Sequence, residues 1–197
     1  MIDDILDDEP FAPFARWLAL AEKSEKLAET MTLATVSAAG FPSLRAVLLK
    51  AVDPGGFVFY TNLESRKAGE LFVNPHAALC FHWKSLARQV RAEGVAEQVS
   101  EDEADGYFAS RARGSQIAAW SSEQSRVLES RDLLERRVEM FTRRFADRSA
   151  IPRPNFWSGF RLIPERVEFW QDQPSRLHDR LVFERDGDSW RRERLFP

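Results

Sequence analysis

Leu44-Arg45-Ala46-Val47-Leu48-Leu49-Lys50-Ala51-Val52 runs into Asp53-Pro54-Gly55-Gly56, and Phe57-Val58-Phe59-Tyr60-Thr61 follows at once. Two apolar runs joined by a Pro-Gly-Gly turn read as neighbouring strands, Leu44 to Val52 and Phe57 to Thr61. The pattern extends both ways. Met31 to Val36 alternates as a strand and reaches the turn Ala38-Ala39-Gly40. Ala77–Trp83 and Gln89–Val99 read as two more strands. Gly159–Leu162, Arg166–Gln171 and Arg180–Arg185 close the chain, with a hairpin turn at Asp186-Gly187 before a final strand.

Helices interrupt these strands. Phe14, Trp17, Leu18 and Ala21 repeat at helical spacing and predict a helix from about Pro13 to Glu29. Ser65 opens a short helix that stops near Asn74-Pro75. Ser100 and Glu103 form a capping box for a helix through Tyr107 toward Ser110. Ser115 to Trp120 suggests another short helix. Arg131 to Phe145 carries Leu134, Val138, Phe141 and Phe145 on one stripe. Many short strands with inserted helices predict a mainly β, α+β fold: an antiparallel, Greek-key-like barrel with peripheral helices. No linker divides residues 1–197, so a single domain is expected, with an acidic, flexible segment at 1–9. The βαβ alternation and GxGxxG loop of a Rossmann fold are missing.

The chain has 197 residues and a formal net charge of −3, so nothing drives it globally toward nucleic acid. No apolar run approaches the roughly 20 residues of a membrane span. Cys80 is the one cysteine, which excludes an intrachain disulfide and suits a reducing cytoplasm.

Four stretches concentrate chemistry. Alternation puts Arg45, Val47 and Leu49 on one strand face and Ala46, Leu48 and Lys50 on the other, so the two cations suit two anionic sites better than one. Read alone, they are equally the solvent-seeking ends of a half-buried strand. At Tyr60-Thr61-Asn62-Leu63-Glu64-Ser65-Arg66-Lys67 a strand enters a helix whose first turn carries two cations, an arrangement the helix dipole disfavours unless an anion compensates. Tyr107, Arg111 and Ser115, spaced by four, suit a phosphate clamp or an exposed helix flank. In Arg176-Leu177-His178-Asp179-Arg180, extended geometry points Arg176 and His178 the same way. His76, His82 and His178 show no metal-ligand spacing, and no hydrolase elbow or Walker loop is present.

Together these segments resemble the pyridoxamine/pyridoxine 5′-phosphate oxidase family. The likeness runs through Arg45–Lys50, Phe59–Asn62, Ser65–Lys67, Arg88–Val90, Tyr107–Arg111 and Ser115–Ile117. It continues through Gln124-Ser125, Phe156–Phe160, Glu168–Trp170, Arg176–Arg180 and Arg194–Pro197. The resemblance implies an FMN-binding split β-barrel, a homodimer with FMN at its interface and residues 156–197 in the dimerisation region. It also implies oxidation of the phosphorylated substrate by dioxygen, releasing hydrogen peroxide. It assigns FMN to Arg45, Ala46, Val47, Leu48, Leu49, Lys50, Tyr60, Thr61, Arg66, Lys67, Gln89, Gln124, Ser125, Trp170 and Arg180, partly from the other subunit. It assigns the substrate to Lys50, Tyr107, Arg111, Ser115, Arg176, Leu177 and His178, with Arg176 and His178 as the catalytic pair by the ring. Two departures stand out: the short acidic N-terminus makes a lid there doubtful, and Ala112 and Gly114 replace a common Pro and Asp in the clamp loop. Alternatives on the same fold are an oxidase of another aromatic, such as a phenazine precursor, and a non-catalytic flavin-binding protein. Such oxidases tend to lose the lysine and the Tyr/Arg pair retained here as Lys50, Tyr107 and Arg111.

Overall fold

The computed structural model describes residues 2–197. Nine strands and five helices follow in the order α1 (Phe11–Ala21), β1 (Thr30–Val36), β2 (Pro42–Leu48), β3 (Ala51–Asp53), β4 (Gly56–Asn62), α2 (Arg66–Val73), β5 (His76–Trp83), β6 (Arg88–Gln98), α3 (Glu101–Ser110), α4 (Arg113–Ser121), α5 (Arg131–Arg144), β7 (Trp157–Gln171), β8 (Asp179–Asp186) and β9 (Ser189–Leu195). Every pairing is antiparallel, in the order β2-β1-β5-β6-β7-β4-β3, with β8 and β9 added beside the second half of β7.

The predicted strand Leu44–Val52 is two strands. β2 pairs with β1, and β3 pairs with β4 at the other end of the strand order. Between them Leu49 N–H donates to Glu29 O at 2.9 Å and Lys50 N–H donates to Val58 O at 2.8 Å. The chain changes partner within two residues, and that step curls the sheet into a barrel. Conversely, Gly159–Leu162 and Arg166–Gln171 belong to one 15-residue strand, β7. Pro164 is tolerated because the β6–β7 register shifts at Glu93/Gly94 and absorbs it as a bulge.

Alternating strand positions fill the barrel with aromatic rings. Phe57, Phe59, Phe81, Trp83, Phe169 and Phe183 are fully buried, and α1 adds Phe14 and Trp17. Phe14 meets Phe57 and Phe81 edge-on at 5.0 and 4.9 Å, a favoured ring geometry. Helix α1 stops at Ala21, eight residues short of the prediction, because residues 22–26 offer no apolar face. Glu25 there accepts from the Ser85 backbone instead. A second cluster, Phe108, Ile117, Phe141, Phe145, Ile151 and Trp157, packs α3, α4 and α5 on the barrel's flank.

The N-terminal segment departs from the flexible reading. Met1 lies outside the described residues, but Ile2 and Ile5 join the core. Arg192 donates to the carbonyls of Ile5 and Asp7. Two apolar residues among the acids are enough to seat it. Val138, expected on the buried stripe of α5, is exposed; the flank cluster takes only Phe141 and Phe145 from this stretch.

The bulge makes a stability prediction. A Cβ on Gly94 would stand 2.0 Å from Ile163 O, whereas one on Gly106 in α3 meets nothing within 4 Å. Gly94→Ala should cost more than about 3 kcal/mol in denaturant unfolding. Gly106→Ala should stabilise by about 0.5–1 kcal/mol, since alanine is the better helix former.

Candidate active site

A cavity of about 690 Å³ opens between β2, β4, the start of α2, α3, α4 and the first residue of β7, within the size range of ligand sites. β2 forms one wall. Its inner edge is paired with β1 and its outer edge has no partner strand, which leaves backbone donors and acceptors for a ligand. Arg45 and Lys50 both line this one cavity. The cavity is lined by residues of both strand faces, Arg45 and Val47 as well as Ala46 and Leu48, so alternation does not keep the two cations apart. Leu49 turns the other way, into the core, at 5% exposure.

At one side lies a cluster of cations with opposite treatments. Glu70 is buried and accepts from Thr35 Oγ1 (2.5 Å), Ser43 Oγ (2.7 Å), Arg66 Nε (2.9 Å) and Arg45 Nη2 (3.2 Å). Burial alone would raise its carboxyl, but these donors together hold it at about 2. Arg45 and Arg66 are thereby fixed and partly neutralised. Lys67 is equally buried but has only neutral partners: Gln124 Oε1 (2.9 Å), Thr61 Oγ1 (3.1 Å) and Ser65 Oγ (3.2 Å). Burial, and next the Arg45 charge, lower its ammonium to about 8. An ammonium in a helix first turn, without a carboxylate and beside two guanidinium groups, is built for an anion that completes it.

At the other side stand aromatic rings. Tyr60 stacks on Tyr107 with centroids 4.0 Å apart and on Trp157 at 5.3 Å. Burial first, and then the Glu103 charge, push the Tyr60 phenol up to about 12, so it stays protonated. Gly159, paired with Tyr60 across the strands, makes room for the ring; a Cβ there would lie 2.7 Å from it. Arg111 sits over Trp157 at 4.8 Å. Its Nη1 is buried without an acceptor, and burial lowers its pKa. Lys50 is exposed and makes no side-chain ion pair among the described residues.

Of the residues expected from sequence, Arg45, Ala46, Val47, Leu48, Lys50, Tyr60, Thr61, Arg66, Lys67, Tyr107, Arg111, Gln124 and Ser125 line the cavity. Ser115 does not; it is exposed in the first turn of α4, on the helix face of the lining residues Ala118 and Ala119. Gln89, Trp170, Arg176, Leu177, His178 and Arg180 gather elsewhere. Gln89 pairs with Trp170 and Trp170 with Arg180 across β6, β7 and β8. His178 packs on Trp170 at 4.7 Å, with Nδ1 3.0 Å from Asp172 Oδ1. The extended reading of Arg176–His178 fails: residues 174–176 form a 3₁₀ turn, and Ser175 and Arg176 have φ of 58° and 63°. Arg180 instead joins Arg91 and Arg166 around the buried carboxylate of Glu168. The sequence reading missed Glu70 and Trp157 as site residues. The Arg66–Glu70 spacing of four was the available signal for the first; Trp157 lay within a quoted stretch but carried no role.

Fold and cavity place the chain among the split β-barrel proteins. An FMN-binding protein from Nostoc punctiforme, described as related to pyridoxamine 5′-phosphate oxidase, shares the fold at TM-score 0.77 and 16% identity, over 98% of this chain and 100% of its own. The family model described as "Pyridoxamine 5'-phosphate oxidase" matches residues 21–144. That described as "Pyridoxine 5'-phosphate oxidase C-terminal dimerisation region" matches 157–197. The chain belongs to the pyridoxamine 5′-phosphate oxidase family. A Rhodospirillum rubrum protein named pyridoxine/pyridoxamine 5′-phosphate oxidase is 57% identical, covering 97% of this chain and 98% of its own. One of the same name from Maricaulis maris is 58% identical over 96% and 86%. The structure of PhzG from Burkholderia lata, in complex with tetrahydrophenazine-1-carboxylic acid, is similar at TM-score 0.92 and 32% identity, over 98% and 95%.

Lys67 makes anion binding pH-dependent. Its ammonium is the form an anion prefers, so inorganic phosphate affinity should be full below about 8. Above that pH it should fall by up to about tenfold per unit until the bound-state pKa is reached. Calorimetric titration from pH 7.5 to 9.5 measures this, and Lys67→Met should bind weakly with that slope lost.

Proposed function

We propose that this chain oxidises pyridoxamine and pyridoxine 5′-phosphates to pyridoxal 5′-phosphate, using FMN and dioxygen and releasing hydrogen peroxide, with water consumed and ammonia released when the substrate is the amine. The observation that carries the reading is a single cavity in which two separate cations, the Lys67 ammonium and the Arg111 guanidinium, are desolvated by burial and have no carboxylate partner among the described residues. A phosphorylated cofactor and a phosphorylated substrate would satisfy one each.

The residues present fit FMN. Lys67, Arg66 and Arg45, with the first backbone N–H groups of α2, would hold its phosphate. The free edge of β2, Thr61, Gln124 and Ser125 would line the rest. When bound, FMN supplies the two-electron acceptor that dioxygen regenerates. Arg111, Tyr107 and Lys50 would grip the substrate phosphate, with Ser115 at the cavity rim, and so fix the reacting carbon in place. The second group, Gln89, Trp170 and Arg180 with Arg176, Leu177 and His178, would complete the cavity of the other protomer in a homodimer. There Arg176 would position the ring electrostatically, and the free His178 Nε2 is available to move a proton.

The likeness to PhzG supports a second reading, oxidation of a phenazine precursor. Lys50, Tyr107 and Arg111 favour the phosphorylated substrate, since a phosphate offers acceptor oxygens to three donors at once where a carboxylate offers only two. The discriminating assay takes the protein with FMN, adds pyridoxine 5′-phosphate in air and follows aldehyde and peroxide. Formation of both is expected, and absence of both overturns the oxidase reading. Arg111→Ala should raise the KM for pyridoxine 5′-phosphate by one to two orders of magnitude, the scale of a lost charge-assisted contact, with FMN content unchanged. Lost FMN with unaltered KM would place Arg111 in the cofactor site instead.

A further inference from the structure

Arg111 makes no side-chain hydrogen bond or ion pair among the described residues, and its Nη1 is buried without an acceptor. Ring faces hold it instead: the guanidinium lies 4.8 Å from the Trp157 centroid and 5.7 Å from that of Phe108. A carboxylate would fix an arginine equally well but would cancel its charge and occupy its N–H groups. A ring face fixes the plane and leaves both charge and donors free. Trp157 is itself immobile. It is 6% exposed, packs edge-on against Phe108 at 5.1 Å and lies nearly parallel to Tyr60, at 6°. Tyr60 in turn stacks on Tyr107 at 13°. Tyr107 and Arg111 are one turn apart at the end of α3, so a single indole orients both, one by direct contact and one through Tyr60.

We propose that Trp157 is the positioning residue for phosphate recognition: its face sets the Arg111 guanidinium, and its stack with Tyr60 sets Tyr107, so that both meet the substrate's phosphate. This deepens the oxidase reading and rests on it. The indole does no chemistry; it replaces a counter-ion that would have spoiled the site.

The test compares Trp157→Leu and Trp157→Phe with the wild-type holoenzyme. Pyridoxine 5′-phosphate and unphosphorylated pyridoxine serve as substrates, and pyridoxal 5′-phosphate affinity is measured separately by equilibrium dialysis. In Trp157→Leu the KM for the phosphorylated substrate and the Kd for pyridoxal 5′-phosphate should rise together by roughly tenfold, the scale of a desolvated cation–π contact. Pyridoxine KM should stay constant. Trp157→Phe, with a smaller face, should rise about threefold. Unaltered values in both variants, or an equal loss for pyridoxine, overturn the proposal. Where Trp157→Leu yields no folded holoenzyme, Trp157→Phe decides alone: a rise confined to the phosphorylated ligands supports the assignment, and no rise sinks it. Wild-type protein that oxidises no phosphorylated substrate overturns the oxidase reading itself, whereas an active wild type with indifferent variants overturns only the role of Trp157.

Discussion

Barrel closure depends on two backbone hydrogen bonds made by adjacent residues to different strands, Leu49 to Glu29 O and Lys50 to Val58 O. They let one run of chain end its ladder with β1 and begin another with β4, at opposite ends of the strand order. Everything in the cavity wall inherits this step. Leu49 plugs the core, Lys50 is thrown outward, and β2 is left with a free edge against the ligand space. The cavity takes residues from both faces of β2, Arg45 and Val47 with Ala46 and Leu48, and Lys50 just beyond the strand's end joins them.

Charge inside that cavity is held in two ways. Arg45 and Arg66 share the carboxylate of Glu70. The same device recurs at Glu168, which gathers Arg91, Arg166 and Arg180 on the other group. Among the described residues Lys67 and Arg111 have no carboxylate partner: Lys67 rests on neutral oxygens and Arg111 on aromatic faces. A buried cation without a counter-ion costs folding free energy. The lowered pKa of Lys67 reflects that cost. Under the proposed function a bound anion would relieve that cost.

Much of this was legible in the residues. Period-2 runs and turn signals located nearly every strand, because alternation survives wherever one face is buried and one is not. Legibility failed where the chain changed partner or shape without changing composition. Nothing in Leu48-Leu49-Lys50 marks a strand end, since the break arises from the hydrogen bonds of Leu49 to Glu29 O and of Lys50 to Val58 O, made to two different parts of the chain. The gap read between Gly159–Leu162 and Arg166–Gln171 is instead a bulge within β7, where Gly94 pairs with Pro164 and Glu93 with Arg166. Arg176 defied its extended reading because left-handed φ at Ser175 and Arg176 is imposed by the turn, not announced by glycine. Glu70 was invisible for a different reason. A lone glutamate on a short helix reads as solvated, and only the convergence of β1, β2 and α2 shows what it binds.

The two groups of expected site residues cannot meet along the strand that carries both. Trp157 opens β7 and lines the cavity, while Trp170 lies near its other end. At about 3.3 Å of rise per residue, roughly 40 Å of strand separates them. Barrel curvature shortens that path, but not the side from which the second group faces. In register with Gln89, Trp170 and Arg180 are outward positions, because their chain neighbours Val90, Phe169 and Leu181 are core. A side chain on the outer face at the far end of β7 does not serve the pocket at its start. It can serve the equivalent pocket of a second copy. The family match over residues 157–197 is to a dimerisation region, which supports this reading: under the proposed function strand β7 would begin in one site and end in another, with two chains completing each site.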